Sequence, residues 1–182
     1  MMSKFRFRSF TLLAVTALVI SGCGEKANQA VQNDKGEPAA NAPLVSSLRM
    51  SDPSANQQLT TGVYQLESGA WRWTGGNFTI TLKTPPGAAQ KGATLTLNLQ
   101  TSGAVLQQVH SQNLTAAVGS QTLKTEKYAD PGAHTFTAAV PASLLAGDTV
   151  AIDFSLDHSL PSSPADRREL GVIITAASLD SN

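Results

Sequence analysis

The chain has 182 residues with 13 basic and 13 acidic side chains, 41% hydrophobic and 5% aromatic content, and one cysteine. Balanced charge with no basic run past the N-terminus argues against nucleic acid or an anionic lipid surface as the partner of a basic patch. A single cysteine excludes an internal disulfide, and the length allows one domain of ordinary size.

At the N-terminus, Lys4, Arg6 and Arg8 precede an uncharged run over residues 10–20 (FTLLAVTALVI). A basic start followed by a short apolar run is the pattern of a secretory signal. An α-helix needs about 20 residues to cross the hydrocarbon core of a bilayer, so the run is too short for a transmembrane anchor. It closes on Ile20-Ser21-Gly22-Cys23, which resembles the lipobox of bacterial lipoproteins. The resemblance implies that residues 1–22 are cut away and that Cys23 becomes the lipid-modified N-terminus, acylated with chains such as palmitate. At about 0.8 kcal/mol per buried methylene, two or three acyl chains hold a protein on a membrane almost permanently. The signal takes three basic residues with it and no acidic ones, so the exported chain is net acidic, near −3.

Residues 23–45 follow (CGEKANQAVQNDKGEPAANAPLV), rich in Ala, Asn, Gln, Gly and Pro. So few large apolar side chains cannot offset the entropy of ordering them, and a flexible tether is expected. Gly24 stands where an aspartate retains lipoproteins in the inner membrane of enteric-type bacteria. That sorting rule makes the outer membrane the expected destination.

Residues 46–182 read as one all-β domain. Phe78, Ile80 and Leu82 alternate with Thr79, Thr81 and Lys83, and Leu95, Leu97 and Leu99 alternate with Thr94, Thr96 and Asn98. The same period of two runs through Leu114, Ala116 and Val118, through Val150, Ile152, Phe154 and Leu156, and through Leu170, Val172, Ile174 and Ala176. Each set predicts a half-buried strand. Turn residues separate them at Gly75-Gly76, Pro85-Pro86-Gly87, Gly119, Asp130-Pro131-Gly132 and residues 161–164. Residues 141–146 alone are read as a helical turn, with Pro141 suited to its start and Gly147 to its end. About eight strands without long helices predict a jelly-roll-like antiparallel β-sandwich.

Two pairs of stretches carry a resemblance. Residues 62–67 (GVYQLE) with 71–75 (WRWTG), and residues 154–156 (FSL) running into 166–172 (DRRELGV), resemble a β-sandwich domain found beside bacterial glycosyltransferases and similar to carbohydrate-binding modules. The likeness spans most of residues 59–179, with residues 104–127 matching as generic strands. It implies a role near glycans.

Trp71 and Trp73 are two apart, so in a strand both indoles point to one side and Arg72 to the other. They form either a core pair or a platform for the C–H face of a pyranose, with Tyr64, Glu67 and Arg72 supplying polar contacts. Asp166, Arg167, Arg168 and Glu169 make a dense charge cluster. Arg168 and Glu169 are either ligand contacts or an ion-paired pin for the loop before the last strand. Asp153 and Asp157 fall on the same side of their strand.

No Gly-x-Ser-x-Gly elbow, His-Glu-x-x-His, phosphate loop or dinucleotide fingerprint occurs in the chain. His110, His134 and His158 are scattered, without the spacing of metal ligands. No catalytic residue, metal or cofactor is therefore expected. Two classes remain: a non-catalytic binding module, with a glycan as its candidate ligand, or a structural or interaction lipoprotein docking another envelope protein through an exposed strand edge or loop surface.

Replacing Cys23 by Ser is expected to abolish labelling by radioactive palmitate and to release the protein from the membrane fraction. Equal labelling and identical fractionation of mutant and wild type would exclude lipidation.

Overall fold

The structure, a computed structural model, describes residues 42–182. The expected signal, Cys23 and the tether as far as Asn41 lie outside the described residues. The strands are β1 (Ser47–Arg49), β2 (Leu59–Glu67), β3 (Trp71–Lys83), β4 (Ala93–Thr101), β5 (Gln112–Val118), β6 (Gln121–Tyr128), β7 (Gly132–Val140), β8 (Thr149–Leu156) and β9 (Ile173–Ser181). Every strand pairing is antiparallel. The fold is the expected antiparallel β-sandwich, nearly closed on itself.

Period-two patterning makes the layers. Phe78, Ile80 and Leu82 on β3, Leu95, Leu97 and Leu99 on β4, and Val150, Ile152 and Phe154 on β8 are all buried, while the residues alternating with them face outward or sit half-buried. Phe78 and Phe154 stack with centroids 4.8 Å apart and planes 9° from parallel. Phe136 of β7 meets Phe154 edge-on at 6.3 Å, joining the two layers. Such ring pairs contribute about 0.5–1.5 kcal/mol beyond their buried area.

The hydrogen-bonded path runs β6-β5-β8-β3-β9-β4-β7, with β2 on β3 and β1 on β9. Strand β3 is common to both layers. One edge pairs with β2 from Trp71 to Ile80. The other pairs with β8 over residues 77–83 and with β9 at Arg72 and Trp73. At the open seam β6 faces β7, where the Lys124 amine lies 5.2 Å above the Phe136 ring and Tyr128 packs 4.7 Å from His134.

Three sequence expectations are corrected. The helical turn at residues 141–146 is a 3-10 turn over Ala142–Leu144, and it is not alone: helices α1 (Ala88–Lys91) and α2 (Gly103–Val109) also form. Helix α2 lies inside the stretch read as generic strands. Its apolar period spans only Val105, Leu106 and Val109, too short to separate from strand alternation. In the last strand the alternation slips at a bulge, because Asn98 faces Ala176 whereas Leu99 faces Ile174. Thr175 is the extra residue, so Ala177 and Leu179 turn inward in place of Ala176. Strand β6 escaped notice because Tyr128 is its only buried residue, as a polar edge strand allows.

The N-terminal end is tied down from Val45, whose side chain packs against the core. The Gln58 amide, 1% exposed, accepts from Val45 N (2.9 Å) and donates to the Val45 and Thr81 carbonyls (2.9 and 2.7 Å). A chain beginning at Ala42 is therefore expected to keep the domain's thermal midpoint. One beginning at Ser47 strands part of the buried Gln58 amide, a loss of about 1–3 kcal/mol. That is several degrees for a domain of this size, and differential scanning calorimetry of the two chains measures it.

Candidate functional site

The β2–β3 hairpin sets the geometry. Its register pairs Glu67 with Trp71 and Leu66 with Arg72, so Glu67 and Trp71 share one face and Arg72 takes the other. Between Val63 and Leu66 the register shifts, placing two residues, Tyr64 and Gln65, opposite Trp73 alone. Trp71 and Trp73 stand half-buried, outside the core, with centroids 6.3 Å apart and planes at 81°. Arg72 is 6% exposed, and its guanidinium donates to the carbonyls of Met50 and Tyr64, each at 3.2 Å. Burial lowers its pKa, since the charged form loses water. Of the aromatic motif, then, the indoles meet solvent and the arginine does not.

Arg168 gathers the second motif onto the first. Its Nε and NH2 donate to both oxygens of Asp166 (3.0 and 2.9 Å), and its NH1 to Glu67 Oε1 (2.5 Å). The guanidinium carbon lies 5.5 Å from the centroid of Tyr64. A planar fork can satisfy two carboxylates and cover a ring at once, which an ammonium cannot. These hydrogen bonds hold Arg168 above its ordinary pKa, those to Asp166 first and to Glu67 second. Arg167, by contrast, is exposed.

Glu169 lies against the bend of β3. It accepts from Ser159 Oγ at 2.5 Å. A methyl group at Gly76 would stand 2.6 Å from Glu169 Oε1, and one at Gly75 would stand 3.3 Å from Oε2 and 3.8 Å from the Tyr64 hydroxyl. Gly75 has the parity of Trp71 and Trp73, and the Tyr64 hydroxyl reaches that side of β3, whereas Glu169 lies against both glycines and closer to Gly76. The fold thus brings together Tyr64, Glu67, Trp71, Trp73, Arg168 and Glu169, with Arg72 behind them.

The loop over residues 157–172 is anchored throughout. The Asp157 carboxylate accepts from Asn113 N and Nδ2 (2.7 and 2.5 Å), and Gln112 Nε2 donates to the His158 carbonyl at 2.9 Å. Leu160 and Leu170 exchange backbone hydrogen bonds at 2.8 Å. Gly171 N donates to the Thr74 carbonyl at 2.7 Å and Thr74 N to the Val172 carbonyl at 2.8 Å. At Gly171 any side chain would collide with the Gly75 carbonyl.

Other residues singled out by sequence lie elsewhere. Asp153 faces outward on β8 and accepts from Thr79 Oγ1 at 2.7 Å. His110 ends α2, His134 contacts Thr101 Oγ1 at 3.0 Å, and His158 sits 3.1 Å from Asp157. Among the described residues no three His, Cys, Asp or Glu side chains gather as metal ligands would. Sequence reasoning missed one surface, a cleft of about 280 Å³ on the outer face of β2, β3, β8 and β5. Thr61, Thr79, Asp153 and Ala117 cross it in one register row, with Asn77 and Ser155 beside them. Only the pairing of distant strands assembles that row.

No family model matches the chain, and no curated protein matches it. Among solved structures, the chain is similar to a family GH115 4-O-methyl-α-glucuronidase with specificity for decorated arabinogalactans, at 9% identity and a TM-score of 0.44, over 79% of this chain. It spans only 18% of that enzyme's length. A CBM4 chain is similar at 12% identity and a TM-score of 0.35, over 84% of this chain and 93% of the other.

The ion pair has a pH signature. Hydrogen bonds from Arg168 bring the Asp166 carboxyl down to about 2, against about 3.9 in an unfolded chain. A depressed folded pKa contributes stability in full above the unfolded value, and this is lost as pH falls toward the folded one. The Asp166 carboxyl resonance is expected to titrate near pH 2 in the folded protein. Asp166→Asn should make the loop over residues 157–172 equally susceptible to an acid protease at pH 2 and pH 4, whereas the wild-type loop resists at pH 4.

Proposed function

We propose that this chain is a membrane-anchored envelope lipoprotein whose β-sandwich binds a glycan without hydrolysing it. The observation that carries the reading is the placement of Trp71 and Trp73: half-buried and outward on β3, where a core pair would lie among Phe78, Phe136 and Phe154. An indole face offers a weakly polar surface to the C–H face of a sugar ring, and fixed polar groups at its margin orient the hydroxyls. Here the margin is supplied by the Tyr64 hydroxyl and by the carboxylates of Glu67 and Glu169, the latter two fixed by Arg168 and Ser159. Preorganised side chains lose less entropy on binding.

Anchoring rests on the lipobox-like Ile20-Ser21-Gly22-Cys23, and the outer membrane on Gly24. The absence of any recognisable catalytic motif supports a binding role.

The test is retention of the full-length protein, in nonionic detergent, on a panel of polysaccharides and peptidoglycan, with Tyr64→Ala, Trp71→Ala and Trp73→Ala beside it. At least one of the three is expected to lose retention by tenfold or more. Its melting should shift far less than the roughly 3–5 kcal/mol that loss of a core aromatic brings. If the wild type is retained on nothing, or if every variant unfolds, the glycan reading fails and docking of an envelope protein at a strand edge takes its place.

A further inference from the structure

Surfaces among the described residues that could take a ligand include the aromatic face at the Trp71 end of β3, the hydroxyl-lined cleft across β2, β3, β8 and β5, a groove beside the entering chain at residues 43–47 and 83–86, and a hollow over β4 and β7. The aromatic face carries the sharpest chemical statement, because Glu67, Asp166, Arg168 and Arg72 beside it all have assigned partners.

We infer that the aromatic face selects uncharged glycans and excludes anionic ones such as uronates or sulfated sugars. This rests on the glycan-binding reading and narrows it. Of the three arginines in the two motifs, Arg72 and Arg168 are engaged by the protein and Arg167 is exposed. Arg72 is buried on the opposite face with its donors on the Met50 and Tyr64 carbonyls. Arg168 has three of its five N–H groups on Asp166 and Glu67 and one face toward the Tyr64 ring, so its charge is largely neutralised within the protein. Its one positive charge stands against three carboxylates, those of Asp166, Glu67 and Glu169, with only the exposed Arg167 near them in sequence.

The unused oxygens point to the same class. Glu67 and Glu169 each bind their protein partner through Oε1. Their Oε2 atoms are acceptors, which suits the O–H donors of a sugar and repels a second carboxylate. Two like charges brought within a few ångströms repel, and more strongly near a protein surface than in bulk water. One carboxylate per sugar should therefore lower affinity at least tenfold at low ionic strength, and added salt should narrow the difference.

The experiment compares one backbone in two charge states: polygalacturonate and the galactan obtained by reducing its carboxyl groups, with a neutral glucan panel beside them. The probe is the full-length protein in nonionic detergent at 10 mM and 300 mM salt. The expected result is binding to a neutral polymer, binding to polygalacturonate at least tenfold weaker than to its reduced form at low salt, and a smaller ratio at high salt. Glu67→Gln and, separately, Glu169→Gln keep the shape of the site while removing a charge, and each should shrink the ratio by at least threefold. Their melting curves identify a variant that fails to fold, and the other then serves. Polygalacturonate bound as tightly as its reduced form, or a ratio untouched by either folded variant, overturns the selectivity. Binding to no glycan in either charge state instead removes the glycan reading, and the selectivity with it.

Discussion

One residue of β3 has to serve two layers. At Thr74 the strand leaves β9 before it meets β8 at Asn77, and the gap is filled by backbone from residues 171–172. Thr74 N and O both bond this segment, while its hydroxyl lies 3.1 Å from both the nitrogen and the carbonyl oxygen of Val172. Buried backbone groups must be paired, and a strand changing partners leaves some unpaired unless another chain supplies them. Gly171 can approach because it has no Cβ. The consequence runs outward: the crossing holds the loop over residues 157–172 against β3, the loop brings Asp166, Arg168 and Glu169, and these meet Glu67 and Tyr64 from the hairpin.

The two glycines at the bend belong to the same constraint. Gly75 and Gly76 read in sequence as a turn, yet they lie inside the 13-residue strand β3. Their missing side chains leave room for the Glu169 carboxylate, which lies 2.6 Å from where a Cβ would stand at Gly76 and 3.3 Å at Gly75. A glycine pair that marks a turn and one that marks a close approach inside a strand look alike, and nothing local distinguishes the two.

Much of the fold was legible because alternation is a local property of a strand facing one core. Phe78, Ile80 and Leu82 needed no knowledge of their partners. The slip at Thr175 was not legible, because a bulge is decided by the opposing strand, here Asn98 and Leu99 of β4. For the site, the sequence placed Trp71 and Trp73 on one side and Arg72 on the other, but it could not say which side was the core. That depended on β9, whose Ile174 pairs with Arg72 and whose half-buried Ile173 pairs with Trp73. The sequence also left Arg168 undecided between ligand contact and structural pin. Its partner Glu67 is 101 residues away, a separation that no spacing rule spans.

The length and direction of β3 have a further meaning. Lys83 N donates to the Val45 carbonyl, so the chain enters the domain at the Lys83 end, while the indoles occupy the Trp71 end. Thirteen residues at about 3.3 Å each put up to about 40 Å between the two. Within the described domain, the entering chain and the indoles therefore lie toward opposite ends of one strand. A group attached where the chain enters the domain and a ligand at the indoles would be separated by nearly the whole length of that strand.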